Sequence, residues 1–236
     1  MGLRVNTNVA SLTAQRNLAA VTGRLQGNYA RLSSGLRIAT AADDAAGLGI
    51  SERMRSQIRS YAVAGRNAQD GVSLAQTAEG ALQETSNNLN RMRELAVQAA
   101  NGTLTTTDRA TIDAEFQQLI AEIDRVAGEA SFNGVSLLDG STASIDIQVG
   151  VDSGDTVTVS MVDGTAATLG VDSLDVTDAA NASTALAAID AAIDTVSTGR
   201  GTLGAAQNRL SSAIASIANT RENLSAAESL SLIHIS

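Results

Sequence analysis

The sequence predicts a mainly α fold: an elongated antiparallel helical bundle or coiled coil carrying a small β-hairpin region. Three observations carry that reading. The 236 residues include no proline, so the commonest interruption of long helices is absent. Only Tyr29, Tyr61, Phe116 and Phe132 are aromatic and there is no Trp. Leu, Ile, Val and Ala must therefore fill the interior, which suits slender helix packing better than a core with a deep ligand cleft. Apolar residues also recur every three to four positions towards both ends and every second position in the middle, the periods of helix and strand.

In the first element, Val5, Val9, Leu12, Leu18, Val21, Leu25 and Leu32, with Tyr29 nearby, mark one face of an amphipathic helix. Gly23, Gly27 and Gly35 weaken it; a glycine costs roughly 1 kcal/mol relative to alanine in a helix interior. The helix therefore needs a partner. A break of polar and small residues follows, R-L-S-S-G-L-R-I-A-T-A-A-D-D-A-A-G-L-G-I-S over 31–51. Asp43 and Asp44 are placed to offset the positive end of a second helix that continues towards Ala100. Its seam, Ile58, Tyr61, Ala68, Val72, Ala75, Leu82, Leu89 and Ala96, is close to a 3.5-residue repeat. Unbroken, about 55 residues span roughly 80 Å.

Asn101 and Gly102 stop this helix, and Thr107 or Asp108 can cap the next. Ile112, Phe116, Leu119, Ile123 and Val126 give a shorter helix able to fold back antiparallel. From Ser144 to Met161 the period drops to two, through Ile145, Ile147, Val149 and Val151, then Val157, Val159 and Met161. The D-S-G-D between them supplies a turn, which predicts a β-hairpin. To about Asp178 the periodicity is weak, and further strands or an irregular loop are equally open. Leu186, Ile189, Ile193, Val196, Leu203, Leu210, Ile214, Ile217 and Leu224 then hold one heptad phase across Gly199, Gly201 and Gly204, which predicts one continuous last helix. The bundle core is expected at Ile58, Tyr61, Val72, Leu82, Leu89, Phe116, Leu119, Ile123, Leu203, Leu210, Ile214 and Ile217.

Composition narrows the function. The formal net charge is −9, and the dispersed arginines form no basic stripe of the kind that displaces counterions from nucleic acid. The start lacks an apolar core of signal-peptide length, and no segment approaches the ~18 consecutive apolar residues of a membrane span; neither nucleic acid nor membrane is expected as a partner. With no Cys and with His234 as the one histidine, thiolate and histidine metal sites and His-containing triads have no material. The D-S-G-D turn lacks the remaining calcium-loop ligands, and the Asp43–Asp44 pair has a sufficient reason at a helix start. No enzyme, cofactor or metal is expected.

The 31–51 run, together with V-N-T-N (5–8), N-A-Q-D-G-V-S-L-A-Q-T-A-E-G-A-L (67–82), L-N-R-M-R-E-L-A-V-Q-A-A-N (89–101), E-I-D-R-V-A (122–127), F-N-G-V-S-L-L (132–138) and L-G-A-A-Q-N-R-L (203–210), resembles the bacterial flagellins. The resemblance implies a structural subunit of the flagellar filament, self-assembling for motility. It implies export unfolded through the flagellar type III apparatus to the extracellular filament. Its partners would be other flagellin subunits, the filament cap, the hook-filament junction proteins and an export chaperone. It also implies four segments: a terminal helix and connection (1–42), a rod-like bundle (43–140 with 179–229), a short variable segment (141–178) and an off-pattern tail (230–236). Carried over by position, Arg91, Glu94, Leu95, Gln98 and Glu115 form the surface read by the animal Toll-like receptor that senses flagellin, or subunit contacts in the filament, and both can hold because assembly would bury the same surface. After A-A-E-S (226–229) the family pattern continues into a further helix where this sequence reads L-S-L-I-H-I-S. The resemblance then implies a missing partner for the first helix, poor polymerisation and loss of the chaperone site. A hook-filament junction protein and a secreted coiled-coil adhesin are the alternatives.

Overall fold

The structure is a computed structural model that describes residues 8–233. In chain order it contains α1 (Val9–Ser34), α2 (Ala45–Ala99), α3 (Thr106–Glu129), β1 (Ser131–Phe132), β2 (Val135–Ser136), β3 (Ser144–Gln148), β4 (Thr156–Ser160), α4 (Ala166–Leu169) and α5 (Ala179–Ile233). The fold is mainly α with two small antiparallel strand pairs. The chain packs as two compact units, one made of residues up to 59 together with those from 219, the other of residues 60–218. Those limits fall inside α2 and α5, whereas the sequence-based limits at 42/43 and 229/230 fall near helix ends.

In the 60–218 unit, contacts between α2 and α5 run in opposite order along the two helices. Arg93 meets Asp190 at 2.6 Å, Gln207 donates to Glu79 at 3.2 Å, and Gly71 lies beside Leu210. The helices are therefore antiparallel. Helix α3 returns along α2 in the same sense, with Glu115 against Arg91 and Arg109 against Ala99. Leu82, Leu89, Phe116, Ile123, Leu203 and Leu210 are fully buried between them, joined by Met92, Leu95, Ile120, Ala127 and Ile189. Truncation of such a Leu to Ala costs about 2–5 kcal/mol. Val72, Leu119 and Ile214 are half-buried against this core. Tyr61 is half-buried and Ile217 buried, while Ile58 belongs to the other unit and is half-buried there.

The N-cap of α3 is Thr105, not Thr107 or Asp108. Its hydroxyl accepts from the Asp108 N–H at 3.3 Å while the Asp108 carboxylate accepts from the Thr105 N–H at 3.0 Å, a reciprocal capping box. Only Thr105 stands three residues before Asp108, so only it can close that ring. Asn133 and Gly134, at φ 50° and 79°, turn β1 into β2, the backbone a type I′ hairpin demands.

The β3–β4 hairpin pairs Ile145 with Val159 and Ile147 with Val157. Its apolar face rests on the helices through glycines: a Cβ at Gly71 would lie 3.0 Å from Ile147, and one at Gly199 only 2.5 Å from Val162 just beyond β4. Residues 163–178 contain one helical turn, α4, and are otherwise irregular. Polar side chains of α3 pin them: Asp124 accepts from Ala166 N–H at 2.8 Å, Asp113 from Val176 N–H at 2.9 Å, and Gln117 donates to the Leu174 carbonyl at 2.9 Å. Helix α5 runs unbroken through Gly199, Gly201 and Gly204 and on to Ile233.

Candidate assembly surfaces

Helix α1 starts at Asn8, whose side chain accepts from Ser11 N–H at 3.1 Å, and ends at Gly35, whose φ of 68° turns the chain out of the helix. None of its residues is buried. Val9, Leu12, Leu18, Val21, Leu25, Tyr29 and Leu32 keep between 46% and 79% of their surface exposed. At 100° per residue, Leu18, Val21, Leu25, Tyr29 and Leu32 share one side of the helix, and Arg16, Arg24 and Arg31 occupy the other. The helix contains no acidic residue. Val5 lies outside the described residues.

At the base of α1 the two acidic residues of the break do different work. Asp44 caps α2, accepting from the N–H groups of Ala46 and Gly47 at 3.0 Å each. Asp43 instead faces backwards. One of its oxygens accepts from Arg31, and the other accepts from Ala39 N–H at 3.2 Å and from Thr40 N–H and hydroxyl at 3.1 Å each. These donors, Arg31 first, hold its carboxyl at about 2. Ile38 is buried beside Gly47, and Arg37 N–H donates to the Leu232 carbonyl at 3.0 Å, so residues 37–38 are fastened to the end of α5. Arg55 and Glu228 add an ion pair at 2.5 Å.

On the α2–α3 face, Arg91 bridges Glu94 at 2.9 Å and Glu115 at 2.8 Å, all three side chains close to half exposed or more. Glu94 and then Glu115 raise the Arg91 pKa. Gln98 is exposed beside them. Leu95 is not part of this surface: it is 2% exposed and belongs to the core, because it follows Met92 by three residues and precedes Ala99 by four on the inward side. Sequence reading passed over Arg109 and Ile38, both buried.

Among the described residues, no three or more His, Cys, Asp or Glu side chains are disposed to hold a metal ion. His234 is outside them. No described helix is long and apolar enough to cross a membrane.

Residues 5–143 match the bacterial flagellin N-terminal helical region and residues 186–231 the C-terminal helical region. This chain belongs to the bacterial flagellin family. The flagellin of Halalkalibacterium halodurans is 47% identical over 227 residues, covering 95% of this chain and 84% of that protein. The crystal structure of Bacillus cereus flagellin superposes with a TM-score of 0.59 at 39% identity, covering 69% of this chain and 94% of that one. A putative flagellar hook-associated protein from Vibrio parahaemolyticus gives a TM-score of 0.67 at 17% identity over 80% of this chain and 99% of that one, a likeness of fold alone. Flagellin is a structural protein, and this chain is a subunit of the flagellar filament.

Proposed function

We propose that α1 is the main contact through which copies of this flagellin assemble. The observation that supports it is the uncovered stripe of α1, the five large side chains Leu18, Val21, Leu25, Tyr29 and Leu32 with none buried, whereas Val9 and Leu12 fall on the side of Arg16. Helices in proteins take most of their stability from packing an amphipathic face, which α1 does not do within one chain, and a stripe that repeats from copy to copy without closing builds a filament. Residues 1–42 would then serve as the contact module, 43–140 with 179–229 as the supporting bundle, and 141–178 as a segment with one face in the core, through Val157, Val159, Leu169 and Val176 among others, and the other turned to solvent. Family resemblance supports export through the flagellar apparatus, and with it the cap, junction proteins and chaperone as partners. It also supports the face of Arg91, Glu94, Gln98 and Glu115 as a subunit contact in the filament, and the same surface on the unassembled chain as one for the flagellin-sensing Toll-like receptor.

Seeded elongation on sheared filaments tests the main reading. Exchanging both Leu18 and Leu25 for serine removes roughly 3 kcal/mol of burial per added subunit, which raises the critical concentration on the order of 100-fold. Unchanged elongation with unchanged helix content would overturn α1 as the contact.

A further inference from the structure

We infer that the Arg31–Asp43 pair is a clasp that sets the direction in which α1 leaves the connecting segment 36–44 within its own unit; the use of that direction rests on the assembly reading above. Helix α1 buries nothing, so packing does not aim it. Among the described residues, one hydrogen bond connects α1 to anything beyond Leu36, and it is the bond from Arg31 to Asp43. Between them lies Gly35 at φ 68°, a conformation that favours glycine, and the joint itself carries only local bonds, Gly35 N–H to the Arg31 carbonyl at 2.9 Å and Leu36 N–H to the Ser34 hydroxyl at 3.3 Å.

The carboxylate is divided between the two sides of that joint. Its first oxygen takes the α1 guanidinium. Its second takes the Ala39 N–H and both donors of Thr40 at 3.1–3.2 Å. The loop side is itself anchored, by the burial of Ile38 and by the Arg37 bond to Leu232. Removing Asp43 would loosen both sides, whereas removing Arg31 loosens only α1. The Asp43 side chain retains 19% exposure and Arg31 47%, so the pair adds little to global stability. Its effect is on orientation.

The chain has no cysteine, so Gln15→Cys and Ser56→Cys, both exposed, carry a unique spin-label pair on α1 and α2 of the full-length protein. Pulsed dipolar spectroscopy on unassembled chain is expected to give one narrow distance distribution, and Arg31→Gln is expected to widen it at least twofold at unchanged far-ultraviolet helicity. Asp43→Asn should widen it as well. A distribution that stays narrow in Arg31→Gln, or is already broad in the parent, overturns the clasp. Elongation of the Leu18 and Leu25 double variant decides the assembly reading separately, because that variant leaves Arg31 and Asp43 in place.

Discussion

Arg109 shows how much a single buried side chain can settle. Its Nε donates to the Ala99 carbonyl at 2.8 Å and a terminal nitrogen donates to the Asn101 carbonyl at 2.9 Å, with 9% of the residue exposed. The Ala99 carbonyl at the end of α2 lacks an intrahelical partner and the guanidinium supplies one, while its second bond ties the Asn101 carbonyl of the loop that follows. Arg109→Ala should lower unfolding free energy by about 1.5–3 kcal/mol, the range for hydrogen bonds to a charged group, as read from urea denaturation; a loss under ~0.5 kcal/mol would contradict the role. Arg109→Lys should recover only part, since one ammonium does not reproduce a planar fork. The sequence held one clue: a cation in the second turn of α3 is disfavoured by that helix's own dipole, so its place needs another cause. Leu95 and Gly199 held none. Helical spacing near Arg91 does not say where the inward arc ends, and the Val162 that fills the notch at Gly199 is far away in sequence.

At the scale of elements, the capping box of α3 makes a pH-dependent prediction. The Thr105 hydroxyl, then its N–H, lowers the Asp108 pKa. A carboxyl lowered in the folded state contributes fully above its unfolded value of ~3.9 and loses that contribution as pH falls through the folded one. The difference in thermal midpoint between the parent and Asp108→Asn should be constant from pH 7 to 5 and shrink below pH 4; a difference that persists to pH 2 would contradict the box. The existence of the long helices and of the 144–160 hairpin was legible, because each rests on a local period in the chain. Caps were less so: T-T-T-D offers three hydroxyls, and geometry selects one. The Asn133–Gly134 hairpin was legible but went unread, its strands being only two residues each. Asp43 and Asp44 read as one dipole pair because sequence does not show that a neighbouring arginine turns the first of them around.

Across the whole molecule, the heptad phases of α2 and α5 pass without change through 59/60 and 218/219, so pattern alone could not mark where one compact unit gives way to the other. The stripe on α1 was equally legible as a demand for a partner, and within one chain that demand goes unmet. The β3–β4 hairpin carries a different kind of consequence. Its five-pair register, from Ser144↔Ser160 to Gln148↔Thr156, is fixed from behind by Ile147 on Gly71, and Asp152 to Asp155 at its tip are exposed. Lengthening a closed loop costs only about 0.6 kcal/mol per doubling, so a Gly/Ser-rich guest sequence placed between Ser153 and Gly154 should leave the thermal midpoint nearly unchanged, and a large drop would show that the tip bears on the core. A hairpin clamped at its stem and exposed at its tip is a grafting platform. Passenger epitopes, tags or affinity loops joined there would be displayed once per copy along a polymer, while the helices that hold the carrier together stay untouched.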